Sequence, residues 1–219
     1  MQSRQTLPGR QTAAYRILEF VALSGEFPTD RLSRLPGGEA YKAHVIQSLK
    51  QKHLLRTFYK DGLRGYRLTA KAKGLLTADR PERFLPYLAG AAETNHIKSE
   101  PARRQRLHRI AETAATMQNA GAAIFPDEKP EVFSPAWDGR PQIFITAPAF
   151  YNSREIKELG IEAVKIKGAR SAGVLLTESA VFVIYNLGGS LMKWQYRAEM
   201  RTKALMQTIL CRERLPEQY

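Results

Sequence analysis

Glu39-Ala-Tyr-Lys-Ala-His-Val-Ile-Gln-Ser-Leu-Lys-Gln-Lys-His-Leu-Leu-Arg-Thr-Phe-Tyr-Lys-Asp-Gly-Leu-Arg-Gly-Tyr-Arg-Leu68 reads as a helix that runs straight into a short β-ribbon. Tyr41, Val45, Ile46 and Leu49 fall on one helical face, which leaves Ala43, His44, Gln47, Lys50 and Gln51 on the opposite one. That outer face is polar, basic and short-chained near its start. Arg56-Thr-Phe-Tyr-Lys60 and Gly65-Tyr-Arg-Leu68 are rich in aromatic and β-branched residues. They flank Asp61-Gly62, a pair suited to a hairpin turn because both positions tolerate positive φ, with Lys60 and Arg64 beside it.

Working outward towards the N-terminus, residues 1–10 read as a loose arm carrying Arg4 and Arg10. Ala14, Ile17, Leu18 and Val21 recur at helical spacing from about Gln11, with Phe20 and Leu23 widening the stripe and Gly25 placed as a left-handed cap. Thr29 stands where an N-cap belongs, before a two-turn helix, Asp30 to Leu35, that buries Leu32 and Leu35. Pro36-Gly-Gly38 turns the chain into the helix quoted above. Beyond the ribbon, Thr69 can cap a helix returning Leu75 and Leu76 to the core. Three helices and a basic-tipped hairpin over residues 11–78 make a winged helix-turn-helix, which meets duplex DNA through its third helix and wing. Tyr66-Arg-Leu-Thr69, running on to Gly74, resembles the stretch that ends the wing in many bacterial winged-helix proteins.

Residues 79–141 read as a linker: Pro81, Pro86 and Gly90 break periodicity, and Pro126, Pro130, Pro135 and Pro141 mark a second loop. Between them, Pro101 opens an amphipathic helix over 101–119 that buries Leu107, Ile110, Ala111, Ala114 and Met117. It exposes Arg103, Arg104, Arg106 and Arg109. Residues 142–219 read as a small α/β domain with a short mixed sheet. Gln142 to Thr146 and Ile161 to Lys167 are strands, Ser153 caps a helix with Ile156 and Leu159, and Gly173 to Thr177 pairs with Ala180 to Tyr185 across Glu178-Ser179. A long helix from about Ser190 to Arg212, carrying Trp194, Met200, Leu205, Ile209 and Leu210, would cover that sheet. The fold class expected is therefore α+β.

Lys+Arg 34 against Asp+Glu 21 gives a net charge of +13, which draws polyanions, nucleic acid first among them. No run of about 18 apolar residues and no signal-peptide core is present, so a cytoplasmic protein without membrane contact is expected. Cys211 is the single cysteine, which excludes an intramolecular disulfide and a cysteine-based zinc site. His44, His53, His96 and His108 lack metal-ligand spacing, and no phosphate-binding glycine loop or nucleophile elbow occurs, so no cofactor, metal or catalytic residue is assigned. A metal-dependent nuclease or nickase is the enzymatic alternative. Its nearest match, Glu155-Ile-Lys157, is expected on a helix, where residues two apart diverge, and Glu162-Ala-Val-Lys165 has the wrong spacing.

Tyr66 to Thr69, Arg106-Leu-His-Arg-Ile-Ala-Glu112 and Val183-Ile-Tyr-Asn-Leu-Gly-Gly-Ser-Leu-Met-Lys-Trp-Gln-Tyr-Arg-Ala-Glu199 resemble the replication-relaxation family of plasmids and mobile elements. The resemblance implies DNA binding tied to replication or relaxation, with a second domain similar to the restriction-endonuclease fold. Ala172 and Gly173, and Val183-Ile184-Tyr185, stand where a working nuclease would carry its acidic ligands and lysine, so that domain is expected to serve assembly or DNA shape recognition.

The expected function is duplex-DNA binding in replication, relaxation, transfer or transcriptional regulation. Ala43, His44, Gln47 and Gln51 would face base edges, and Lys42, Lys50, Lys60, Arg64 and Arg67 would hold phosphates. A homodimer would read an inverted repeat. The other alternative is a protein-interaction module within a conjugation or replication complex.

Overall fold

The first helix, α1 (Ala13–Ser24), is buried around almost its whole circumference from Ile17 to Ser24, as an apolar helix at the centre of a core must be. Thr12 caps it by accepting from the Tyr15 amide at 3.2 Å, and Gly25 closes it at φ 82°, as its sequence implies. The structure is a computed structural model that describes residues 6–89, 100–130, 147–156 and 171–188, together with Tyr196, Glu199, Met200, Thr202–Ala204, Met206 and Gln207. Its fold is mixed α+β, with helices and small antiparallel sheets. The chain divides into two compact units, Met1–Thr116 and Met117–Tyr219.

In the first unit β1 (Phe27–Pro28) leads into a 3-10 helix, Thr29–Arg34. Then come α2 (Glu39–Gln51), β2 (Leu55–Lys60), β3 (Leu63–Leu68), α3 (Ala70–Asp79), α4 (Pro81–Leu88) and α5 (Pro101–Asn119). Thr29 is not the cap expected of it: Pro28 precedes the 3-10 helix without a side-chain bond, and the Thr29 hydroxyl donates to the Arg64 carbonyl instead. The strands form one antiparallel sheet in the order β1-β3-β2, with Phe27 opposite Tyr66 and Phe58 opposite Gly65. Asp61 and Gly62 both take positive φ, 52° and 73°, so the two-residue turn has the twist that a hairpin requires. Thr69 caps α3 by accepting from the Ala72 amide at 3.1 Å.

One stretch expected to be irregular is ordered by burial. Pro81 starts α4, where its missing N–H costs nothing, and Pro86 inside it forfeits one bond while Phe84, Tyr87 and Arg83 go into the core. Arg83 is held there by Glu19 at 2.6 Å. At the end of the arm that joins α1, Arg10 reaches Asp79 at 2.7 Å, and the Tyr15 hydroxyl donates to the same carboxylate at 2.6 Å.

The largest departure from expectation is Arg104. Rather than lying on a solvated basic face, it is fully buried, with its guanidinium on the fully buried Glu26 carboxylate at 2.6 Å. Arg67 reaches the same carboxylate at 2.6 Å and His108 Nε2 at 2.8 Å. Arg104 and His108 lie four apart on α5 and so share the face that meets Glu26. Gly65 makes room for the acid, because a Cβ there would stand 2.2 Å from Glu26 Oε1. Helix α5 therefore belongs to the first unit over most of its length, not to a linker.

The second unit is described in parts. Strands β4 (Ala149–Asn152), β5 (Ser171–Leu176) and β6 (Val181–Tyr185) form an antiparallel sheet in that order, and β5 and β6 are the hairpin that the sequence implies. Strand β4 was not expected. The segment around Ala122 to Phe125, expected as loop, runs parallel beside it at Ala123 and buries Ile124 and Phe125. Lys129 is buried with its ammonium on Glu155 at 2.8 Å and on the Phe150 carbonyl at 2.6 Å. The expected strands at 142–146 and 161–167, and the positions Glu162, Trp194, Leu205 and Cys211, lie outside the described residues. Tyr196 and Met200 are helical and exposed.

Burial alone would raise the Glu26 carboxyl, but the bonds from His108, Arg104 and Arg67 outweigh it and hold it at about 2, against an ordinary 4.5. A depressed carboxyl contributes stability that is complete above its unfolded value and is lost as pH falls through the folded one. Denaturant unfolding should therefore place Glu26→Gln about 3 kcal/mol below the parent at pH 7, with the gap closing between pH 4.5 and 2. A gap unchanged by pH would show that the carboxylate is not the source. Gly65→Ala should cost about 1–3 kcal/mol by crowding the same acid.

Candidate nucleic-acid interface

Helix α2 carries its two faces in strict register. Lys42, Val45, Ile46 and Leu49, at i, i+3, i+4 and i+7, are buried. Ala43, His44, Gln47 and Gln51 are exposed and lie within one sector of the opposite side. Tyr41, expected in the core, sits at the border of the two sectors and is 54% exposed. Glu39 in the first turn complements the helix dipole.

Two of the five expected phosphate contacts are corrected by this geometry. Lys42 is 4% exposed, and its ammonium donates to the carbonyls of Leu32 and Leu35 at 2.9 and 3.0 Å. It ties α2 to the preceding 3-10 helix, burying its hydrocarbon stem in the inner row. Arg67 has a side chain 12% exposed, is ion-paired with Glu26, and lies 3.8 Å above the Phe58 ring. It falls on the ribbon face of Phe58 and Gly65, the face towards Glu26, because side chains two apart along a strand share a side. Lys50 is half-buried with its ammonium 5.3 Å from the centre of the Tyr66 ring. Lys60 and Arg64 are exposed at the tip of the ribbon.

The ribbon is fixed relative to α2 at its base. His53 takes φ 53° and closes the helix, with its amide on the Lys50 carbonyl and the Leu54 amide on the Leu49 carbonyl, both at 2.9 Å. The Thr69 hydroxyl then donates to the His53 carbonyl at 2.7 Å, joining the end of β3 to the end of α2. At the tip, Arg104 donates to the carbonyls of Lys60, Leu63 and Phe58 at 2.7, 3.0 and 3.3 Å. The hairpin is thus clamped at both ends.

From sequence, Phe58, Tyr59 and Tyr66 can either offer stacking surfaces for bases or, as is commoner on a two-stranded ribbon, pack under the wing. Phe58 lies against the guanidiniums of Arg67 and Arg104 and Tyr66 is buried, whereas Tyr59 is 69% exposed opposite Arg64. The signal available was its position one residue before Lys60, past the reach of the core. Exposed Lys52, Arg56 and Lys73 add positive charge to this unit. Arg103, Arg106 and Arg109 of α5 are half-buried rather than displayed to solvent.

Among the described residues no three His, Cys, Asp or Glu side chains gather as metal ligands would. The Glu155 carboxylate is engaged on both oxygens, by Lys129 and by the Asn152 amide at 2.7 Å, while Glu178 lies exposed in the β5–β6 turn. No described helix is long and apolar enough to cross a membrane. No protein-family model, curated protein or solved structure matches the chain.

Replacing Lys42 by Met keeps the stem but strands two carbonyls, so chemical denaturation should show a loss of about 1–3 kcal/mol. Lys60→Met, at an exposed site, should stay within about 0.5 kcal/mol of the parent. Equal stabilities would mean that Lys42 is not a structural tie.

Proposed function

We propose that the first unit is a winged helix-turn-helix that binds duplex DNA, with α2 in the major groove and the β2–β3 hairpin as its wing. The observation that carries the reading is the outer face of α2. It holds short or amide side chains and one imidazole, exposed at Ala43, His44, Gln47 and Gln51, on a helix whose other face is wholly committed to the core. Glutamine can donate and accept in one plane and so pairs with the major-groove edge of adenine, while Ala43 lets the backbone approach. Lys60 and Arg64 stand exposed on the wing, and the net charge of +13 favours a polyanionic partner. Lys50 lies between helix and wing and can reach a phosphate from over Tyr66.

Two copies related by a two-fold axis would read an inverted repeat. The resemblance to the replication-relaxation family supplies a setting, a plasmid or mobile element, where such binding would serve replication, relaxation, transfer or transcriptional control. Cleavage by the second unit is not favoured through Glu155, whose two oxygens are already occupied.

Fluorescence anisotropy of a labelled random-sequence duplex across a salt series tests the reading, because each neutralised phosphate steepens the salt dependence. Lys60→Glu with Arg64→Glu should weaken binding at least about tenfold and flatten the logarithmic salt slope by about 2. Unchanged affinity would remove the wing from the interface. In duplexes selected from a random pool, Gln47→Ala should relax preference at one base pair by about 1–3 kcal/mol.

A further inference from the structure

We infer that Tyr59 is a stacking platform for an unpaired base, so that the protein prefers duplex DNA interrupted by a locally melted segment to continuous duplex. The inference rests on the DNA-binding reading above and names a substrate feature which that reading does not.

The two ribbon aromatics next to one another have opposite fates. Phe58 contacts the guanidiniums of Arg67 and Arg104 on the face towards Glu26, and Tyr59, on the face shared with Tyr66, is 69% exposed. Tyr59 is paired across the strands with Arg64, one position from the Lys60–Leu63 pair that closes the turn. An exposed ring paired with the exposed guanidinium of Arg64 combines the two chemistries that hold unpaired nucleotides: a flat surface for a base and positive charge for its phosphates. Every base has a π-face, so such a contact does not depend on sequence.

The backbone beneath the ring is already fixed. Arg104 binds the carbonyls on both sides of Tyr59, those of Phe58 and Lys60, and the carbonyl of Leu63 across the turn. A ring on a clamped hairpin loses little conformational freedom on binding, which favours a stacking contact over a merely adaptable surface. In continuous duplex the bases are stacked on each other and offer the ring no free face; where strands separate next to the wing, one base becomes available.

The test uses the full chain with a short labelled duplex and the same duplex carrying a mismatched bubble, read by anisotropy at one salt concentration. The parent should bind the bubble more tightly by between about 5- and 100-fold. Tyr59→Ala should abolish that difference while leaving affinity for the continuous duplex within about twofold, and Tyr59→Phe should retain it. If Tyr59→Phe loses as much as Tyr59→Ala, the hydroxyl acts as a hydrogen-bond donor and the stacking inference is overturned. Equal binding of both DNAs by the parent overturns it too, without touching the DNA-binding reading. Failure to bind either DNA overturns both.

Discussion

One carboxylate organises the first unit. Glu26 is fully buried, and a buried anion is tolerable only when its charge is matched and its lone pairs are filled. Arg67 brings β3 to it, and Arg104 and His108 bring α5. The same Arg104 continues to the carbonyls at the tip of the hairpin, so a single guanidinium satisfies both the acid beside Gly65 and the backbone acceptors of the adjoining turn. The space for all of this comes from the missing side chain at Gly65. The inner side of the ribbon is thus held by directional, charge-assisted bonds more than by apolar contact, and such bonds specify one geometry.

What could be read from the chain follows from the range of the signals. The left-handed Gly25, the Asp61-Gly62 turn and the cap at Thr69 are decided within a few residues, and each was legible. Burial of Lys42 was legible in principle, since it completes the i, i+3, i+4, i+7 row with Val45, Ile46 and Leu49. A lysine in an inner row reads as a surface residue until its carbonyl partners, Leu32 and Leu35, are known. Arg67 and Arg104 gave no local warning. Their burial depends on an acid 41 and 78 residues away, and nothing in the composition of a helix reveals a distant counter-charge. For the same reason α4 was hidden: two prolines argue against a helix, and the burial of Phe84 and Tyr87 that overrides them is tertiary.

The arrangement separates stiffness from display. The inner row of α2 packs towards α1, β2 and the 3-10 helix, and the Glu26 face of the ribbon is held by α5, while the outer row of α2 and the tip of the ribbon are exposed. Tyr59 and Phe58, adjacent in sequence, show how little separates the two roles: a strand sends neighbours to opposite sides, and on the side of Tyr59 burial reaches Leu55, Leu68 and Tyr66 but stops short of the tip.

The long span between Glu26 and Arg104 also bears on how the chain comes together during synthesis. The three helices, the hairpin and their caps are all complete in sequence well before Arg104 leaves the ribosome, yet until then the acid beside Gly65 has only Arg67 to meet it and the hairpin carbonyls face an unfilled gap. Docking α5 is then the late step, and its reward is the pairing of a charge already being dehydrated. The nascent unit would therefore pass through a stage with its helices formed and its ribbon still open to water, and α5 would act as the latch that ends it.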